Sequence, residues 1–450
     1  MISSASLFSY GLLAEASYAF LRNVDEVLEK DVLSSALKTE GRGPGGDPWP
    51  ISLAEDFVKH WRVVSHRPNT DSGFSATLYE RLNDTGQPTG KFVLAPRGTE
   101  PTANYLADLQ ADVGDIVGEG LAWRQIVDLF NYWSEISTPN SRNALRARVI
   151  AISPTEAAKR ILQGETGIVI ESPLAASRIV LEDSGFRGRG LVSAGSVVDV
   201  AGHSLGGHLA TAFSRLFPNS TGDVLTVNGA GYRLNSAVLG NVDRVFTTLG
   251  GTSSFSPGKI LNVYGEAGAE IVTQDIFLGL VQPGSTEGIY IEDAIGHTLG
   301  HGSDQMSDSL AIYDLYLRLD TSFATLTATE TIKKIRPWID LASARSVDTF
   351  EASINAVRRT LGLAPIPSAG INDREALYKA LFSLENSNTF KTLAGKFTLV
   401  TPSTDLDSAR TDFGQFLALI HLTPFALKTT DTTALAALKN ANPSLAQAWE

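Results

Sequence analysis

The sequence predicts an α/β protein: a mainly parallel sheet flanked by helices, continued at the carboxyl end by a mostly helical extension. Three observations carry this. Short β-branched runs alternate with segments of helical period from about residue 60 to residue 320. In "VVDVAGHSLGGHLATAF" (Val197–Phe213) a serine sits between glycines where such a run gives way to a helix. Past Asp320 the composition turns to Thr, Ala and Leu, with helix-like runs and no alternation that would extend the sheet. A chain of 450 residues is long for one ordinary domain. Residues 1–320 therefore read as the main domain and 321–450 as an extension or accessory domain.

The amino-terminal stretch "MISSASLFSYGLLAEASYAF" has no basic residue ahead of its apolar positions and reaches its first charge at Glu15. It fits neither a cleaved signal peptide nor a membrane span, and reads as a packed helix. "TEGRGPGGDPWPIS" (Thr39–Ser52) is a loop whose glycines lack the lysine and strand of a phosphate-binding turn. "WRVVSH", "GFSATLYERL" and "KFVLAPRG" are three strands, expected to pair antiparallel at the sheet edge, and "LAWRQIVDLFNYWSEI" restores a helical period.

The rhythm then runs through strand "VVDVA", a helix from Gly206 to about Phe217 stopped by Pro218, and strands "VLTVNGAG" and "KILNVYG". Two stretches break it: Thr138 to Gly195, and Asn228 to Pro257, which is long and glycine-rich for a connection. Either is a candidate to cover a site as a lid. In the extension, "TFEASINAVRRTLG" and "REALYKALFSL" are helical. No internal repeat is evident, and the glycine-aspartate nonapeptides of calcium-binding β-rolls are missing.

Acidic residues outnumber basic ones by 49 to 37, for a net charge of −12, and no basic cluster stands out. Nucleic acid is therefore not an expected partner. Cysteine is absent, which excludes disulfides, thiolate metal sites and a cysteine nucleophile.

Chemistry must come from oxygen and nitrogen groups. Gly202, Ser204 and Gly206 form G-x-S-x-G between an apolar run and a helix, the context of a nucleophile turn. Flanking glycines let strand and helix approach closely enough to expose the serine hydroxyl. Ser204 is the candidate nucleophile, and an alcohol needs a general base, most suitably a histidine.

Of seven histidines, His203 and His208 flank the serine in positions suited to packing or capping, and His60, His66 and His421 fall outside the order serine, acid, histidine. His297 and His301 remain, both in a glycine-containing loop ahead of an amphipathic helix, and His301, nearer that helix, is preferred. Their H-x-x-x-H spacing lacks the glutamate of a zinc helix, so neither metal nor cofactor is expected. The acid that orients the histidine should follow a strand, where "KILNVYGEAGAEIVTQD" offers Glu266, Glu270 and Asp275. Glu266 is slightly favoured because it follows the strand directly. For the oxyanion, the Leu205 N–H comes with the nucleophile turn, and Thr99, at the end of "KFVLAPRGT", supplies a second donor.

These residues resemble the class 3, or fungal-type, lipases of the α/β-hydrolase fold. The likeness rests on "GHSLGGHLA", on "RGTEPTANYLADL" as a counterpart of the oxyanion segment (R-G-S/T followed by N-W-x-x-D-L), and on "KILNVYGEAGAEIV" near the acid-bearing strand end. It is firmest over Lys91–Leu109 and Val197–Leu209. It carries over Ser204 and Thr99, with Arg97, Asn104 and Asp108 as supports of the oxyanion loop. Tyr105 replaces the usual tryptophan. The acid is ambiguous, since Asn262 precedes Glu266 by four residues where the family has N-x-x-D-x-V, and the E-x-V spacing belongs to Glu270. "HGSDQMSDSLAIYDLY" is similar to the histidine-to-helix segment of bacterial secreted members, which again points to His301.

The resemblance implies a carboxylic ester hydrolase acting on lipids at an interface, with transient contact with membranes or micelles. A triacylglycerol lipase is the first expectation, with phospholipase A1 or an inactive binding module on the same scaffold as alternatives. It also implies secretion without an amino-terminal signal peptide, with a cytoplasmic location as the alternative.

Overall fold

A mixed, mostly parallel sheet of seven strands forms the middle layer of an α/β fold. The structure, a computed structural model, describes residues 2–19, 21, 27–40, 48–98, 121–193, 195–233, 239–266, 280–292, 301–344, 349–367 and 373–450. Strands β1 (Trp61–Arg67), β2 (Ala76–Leu82) and β3 (Pro88–Pro96) pair antiparallel at one edge, as their turn-separated spacing predicts. A separate antiparallel sheet of β4 (Asn143–Ile152), β5 (Ile168–Ser172) and β6 (Ala175–Arg187) follows. The main sheet resumes with β7 (Val198–His203) and β8 (Thr221–Val227). Past the short β9 (Tyr232–Arg233) come β10 (Ile260–Gly265), β11 (Leu280–Val281), which pairs with β9, and β12 (Ser285–Ile289). Its order is β1-β2-β3-β7-β8-β10-β12, parallel from β3 onward.

Both faces of this sheet are covered, which is why its inner strands read as nearly continuous apolar runs. One face packs α1 (Leu7–Ala16), α2 (Lys30–Glu40) and α3 (Ile51–His60). The other packs α4 (Trp123–Ser137); then α5 (Pro154–Leu162) sits on the small sheet, and α6 (Leu205–Leu216) and α7 (Leu239–Thr248) complete the second face. Along the strands alternate side chains serve the two layers: Val200 and Val224 join α4, α6 and α7, while Ala201 and Leu225 join α1. Helix α1 is apolar all round and is buried accordingly.

The two stretches that break the sequence rhythm resolve differently. Residues 138–195 hold the β4–β6 sheet with α5, an excursion between β3 and β7. Residues 228–257 contain α7, whose Val242, Val245 and Phe246 are fully buried, so that connection is a layer helix rather than a bare loop. Its i, i+3, i+4 apolar spacing is masked in sequence by the glycines around it.

After β12 the chain returns through α8 (Ser303–Leu319), α9 (Ala328–Ile339), α10 (Phe350–Thr360) and α11 (Arg374–Asn386) to the layer that holds α1. Helix α9 opens with a reciprocal Thr327–Glu330 capping box. Short helices and a two-stranded pair, β13 (Thr398–Val400) with β14 (Ala426–Lys428), complete the chain. Phe323, Ile335, Tyr378, Leu417 and Phe425 lie in one apolar cluster with Leu13 and Leu310, so the carboxyl-terminal helices and α1 share a core.

Candidate active site

Strand β7 delivers Ser204 to the carboxyl edge of the parallel strands, and α6 leaves from the next residue. Ser204 has φ 54° and ψ −126°, a conformation that costs a residue with a side chain about 1–3 kcal/mol. Its neighbours hold it there. A Cβ at Gly202 would collide with the carbonyl of Gly206, and one at Gly206 with the carbonyl of Pro96 at the end of β3. The two glycines thus let β7, α6 and β3 close on one point, and the bend turns the serine hydroxyl outward from the strand.

The hydroxyl meets an imidazole: His301 Nε2 lies 2.9 Å from Ser204 Oγ. His301 arrives from the other end of the fold, two residues ahead of α8, and both residues are buried. For Nε2 to accept the hydroxyl hydrogen, the ring must carry its own hydrogen on Nδ1.

His203, one residue before the serine, packs its ring 4.9 Å from that of His301 and makes a contact that no local pattern announces. Its Nε2 lies 2.7 Å from the His301 carbonyl oxygen. A carbonyl only accepts, so Nε2 donates, and Nδ1 accepts from the Tyr18 hydroxyl at 2.9 Å. Burial, reinforced by the neighbouring His301, holds its pKa well below the usual histidine range, so the ring is neutral. His203 therefore tethers the main chain of the histidine that faces Ser204. Tyr18, just past α1, is the outer end of this chain of contacts, and no local pattern in the sequence marks it.

His208 is structural, as its place on the helix predicts. Its Nε2 accepts from the Ala122 N–H at 3.2 Å, its Nδ1 donates to the Gly231 carbonyl at 3.1 Å, and burial pushes its pKa down to about 4. His66 bonds Thr77, and His60 faces Asp56. Among the described residues no cluster of His, Asp and Glu could hold a metal ion, and no helix is long and apolar enough to cross a membrane.

Glu266 does follow β10 directly, at the same sheet edge as Ser204, and its N–H donates to the Ile289 carbonyl at 3.1 Å. Its carboxylate, however, is paired with Arg336 of α9, which also donates to the Gly288 carbonyl at 3.3 Å. Following the strand directly constrains the backbone of Glu266. That constraint places the Cα but leaves the side chain to whichever cation reaches it, and Arg336 comes from 70 positions downstream. Asn262 is buried between strands, accepting from Thr226 and donating to the Pro283 and Ser285 carbonyls. Glu270, Asp275, Thr99, Asn104, Tyr105, Asp108 and His297 lie outside the described residues.

Of the oxyanion candidates, Leu205 is the first residue of α6. Its N–H has no partner within the helix and stands at the positive end of the dipole. The chain that leads to Thr99 reaches the turn at Gly98, where a Cβ would touch Ser204 Cβ at 3.3 Å and collide with the Tyr18 hydroxyl. Arg97, just before it, is buried and bonds Asn69.

No known protein-family profile matches this chain, and no curated protein sequence matches it. Among solved structures, the Lip2 lipase from Yarrowia lipolytica aligns with a TM-score of 0.30 at 14% identity, over 66% of this chain and 81% of that one. The α/β architecture is described by the sheet itself.

Proposed function

We propose that this chain is a serine ester hydrolase acting on lipids. The observation that carries the reading is the 2.9 Å contact between Ser204 Oγ and His301 Nε2 at a strained strand-to-helix turn. In the proposed reaction His301 Nε2 takes the hydroxyl proton as Oγ bonds the acyl carbon of the ester. The N–H groups of Leu205 and Thr99 hold the oxyanion. Collapse breaks the bond to the alcohol, which leaves with the proton from His301, and water releases the fatty acid from the acyl-enzyme by the same path. With Glu266 engaged by Arg336, Glu270 is the stronger candidate for the acid behind Nδ1. The lipid substrate follows from the motif resemblance to class 3 lipases.

Ser204→Ala is expected to lower turnover of a p-nitrophenyl ester by about 10⁴-fold or more with the fold intact, and a fluorophosphonate is expected to label Ser204. Undiminished turnover in the variant refutes the reading, and an unreactive serine turns it toward a binding module. Fatty-acid release from tributyrin against phosphatidylcholine separates a triacylglycerol lipase from a phospholipase A1.

A further inference from the structure

Residues 142–189, the excursion that carries β4, β5, β6 and α5, differ in charge from the rest of the molecule. They hold eight Arg and Lys against five Asp and Glu, a balance of +3 within a chain of −12. Strand register divides their apolar side chains between two faces. Ala147, Ile179 and Val169 turn inward and join the cluster of α4 and α7. Ile150 stands opposite Arg178, and Ile170 opposite Ala176, on the outward face. Helix α5 covers part of that face through Ala157 against Ile168 and Ala176.

The remainder stays uncovered. Leu162 at the end of α5 is 88% exposed and Leu174, in the β5–β6 turn, 90%, and on the outward strand face Ile150 and Ile170 are about 40% exposed. Scattered single apolar residues are ordinary on a protein surface; outward leucines and isoleucines grouped on one small unit are not. Arg146 and Arg148 share the outward strand face with Ile150 and with Glu182, which stands opposite Arg146 and lies 3.4 Å from Arg148, and Lys159 lies exposed on α5.

We infer that this unit docks on an anionic lipid surface. The leucines enter the boundary between headgroups and acyl chains, and the arginines and lysine meet headgroup phosphates. Charge decides for this occupant: a basic unit on an acidic protein orients the molecule toward a negative surface, while the −15 elsewhere is repelled from it. Docking needs nothing from Ser204 and stands or falls separately from hydrolysis.

The test is co-sedimentation of the full chain with vesicles of phosphatidylcholine mixed with phosphatidylglycerol, against phosphatidylcholine alone. Binding to the mixed vesicles is expected to be about tenfold tighter or more and to weaken with salt. Leu162→Ser with Leu174→Ser is expected to weaken it about tenfold, and Arg146→Gln with Arg148→Gln to erase most of the preference for anionic vesicles. Both double variants should keep full turnover of p-nitrophenyl acetate and an unchanged circular dichroism spectrum. Equal binding to the two vesicle types, or binding that survives both double variants, overturns the inference. So does a dimer seen by size-exclusion chromatography that either double variant dissolves, which would assign the face to a second copy. Vesicle binding without esterase turnover would leave docking standing and remove the proposed reaction instead.

Discussion

Two buried polar clusters hang on the same pair of elements, α1 and α8, and differ in what they keep charged. The first is Ser204, His301, His203 and Tyr18, joined by hydrogen bonds of 2.7–2.9 Å, with His203 held neutral. The second is ionic. Arg374 of α11 donates to both carboxylate oxygens of Asp308 on α8, at 2.9–3.0 Å, and reaches Glu15 of α1 at 2.9 Å. Glu15 is three positions before Tyr18, and Asp308 seven positions after His301. The same two segments are thus fixed once by hydrogen bonds at Ser204 and once by an ion-pair clamp from the carboxyl-terminal region. The neutral His203 holds the His301 main chain without adding a cation beside it, while the second cluster sets a guanidinium between two buried carboxyls.

The comparison is broken most forcefully at Arg374. Burial holds the Glu15 and Asp308 carboxyls above their ordinary range, with Arg374 the main opposing influence, so removing the guanidinium leaves two buried acids without their cation. Arg374→Met is expected to cost about 3–5 kcal/mol of stability, read as a lower urea midpoint. Adding Glu15→Gln and Asp308→Asn to that variant should return most of the loss, because no buried charge is left without its partner. A single variant as stable as the parent would show that the clamp does not hold α11 to α1 and α8.

The neutral cluster is sharpened at Tyr18. Tyr18→Phe removes the donor to His203 Nδ1 and frees the ring that tethers the His301 carbonyl. The loss of one neutral hydrogen bond, about 1 kcal/mol, should appear as a roughly fivefold lower kcat toward a soluble ester with KM unchanged. A purely structural hydroxyl would lower the urea midpoint and leave kcat alone.

What was legible in the sequence divides along the same line. The turn at Ser204 is local: glycines two positions on either side, a β-branched run before and a helix after, all within a dozen residues. The antiparallel edge strands and the helices of 123–137, 350–360 and 374–386 are likewise written in short periods. Tyr18 and Arg374 are not. Tyr18 meets a histidine 185 positions away, and Arg374 an acid 359 positions away, and no nearby pattern announces either partner. Arg336 is equally silent: it reaches Glu266 from 70 positions downstream, and nothing near the strand announces the pair. The β4–β6 excursion was visible only as a break in rhythm, because its alternation serves a small separate sheet.

A third acid, Glu385, lies on α11 with Arg374 and completes the contrast. Burial pushes its carboxyl up to about 7, against an ordinary value of 4.5. Its cation, Arg318, is 3.4 Å away and is shared with Asp314 at 2.6 Å. Between those two values the folded chain keeps a proton that the unfolded chain has released, so stability is full below about pH 4.5 and falls as pH rises toward 7. The slope from one such group is at most about 1.4 kcal/mol per pH unit. Buried His66 and His208, lowered to about 4, act in the opposite direction, losing stability as pH falls from their ordinary 6.5 toward 4. The readout is therefore the difference between parent and Glu385→Gln at each pH, measured by urea unfolding. The variant should gain on the parent steadily from pH 5 to 7, since an amide needs no proton to stay buried. Parallel curves would mean that Glu385 is ionised in the folded chain and that Arg318 is cation enough for both Glu385 and Asp314.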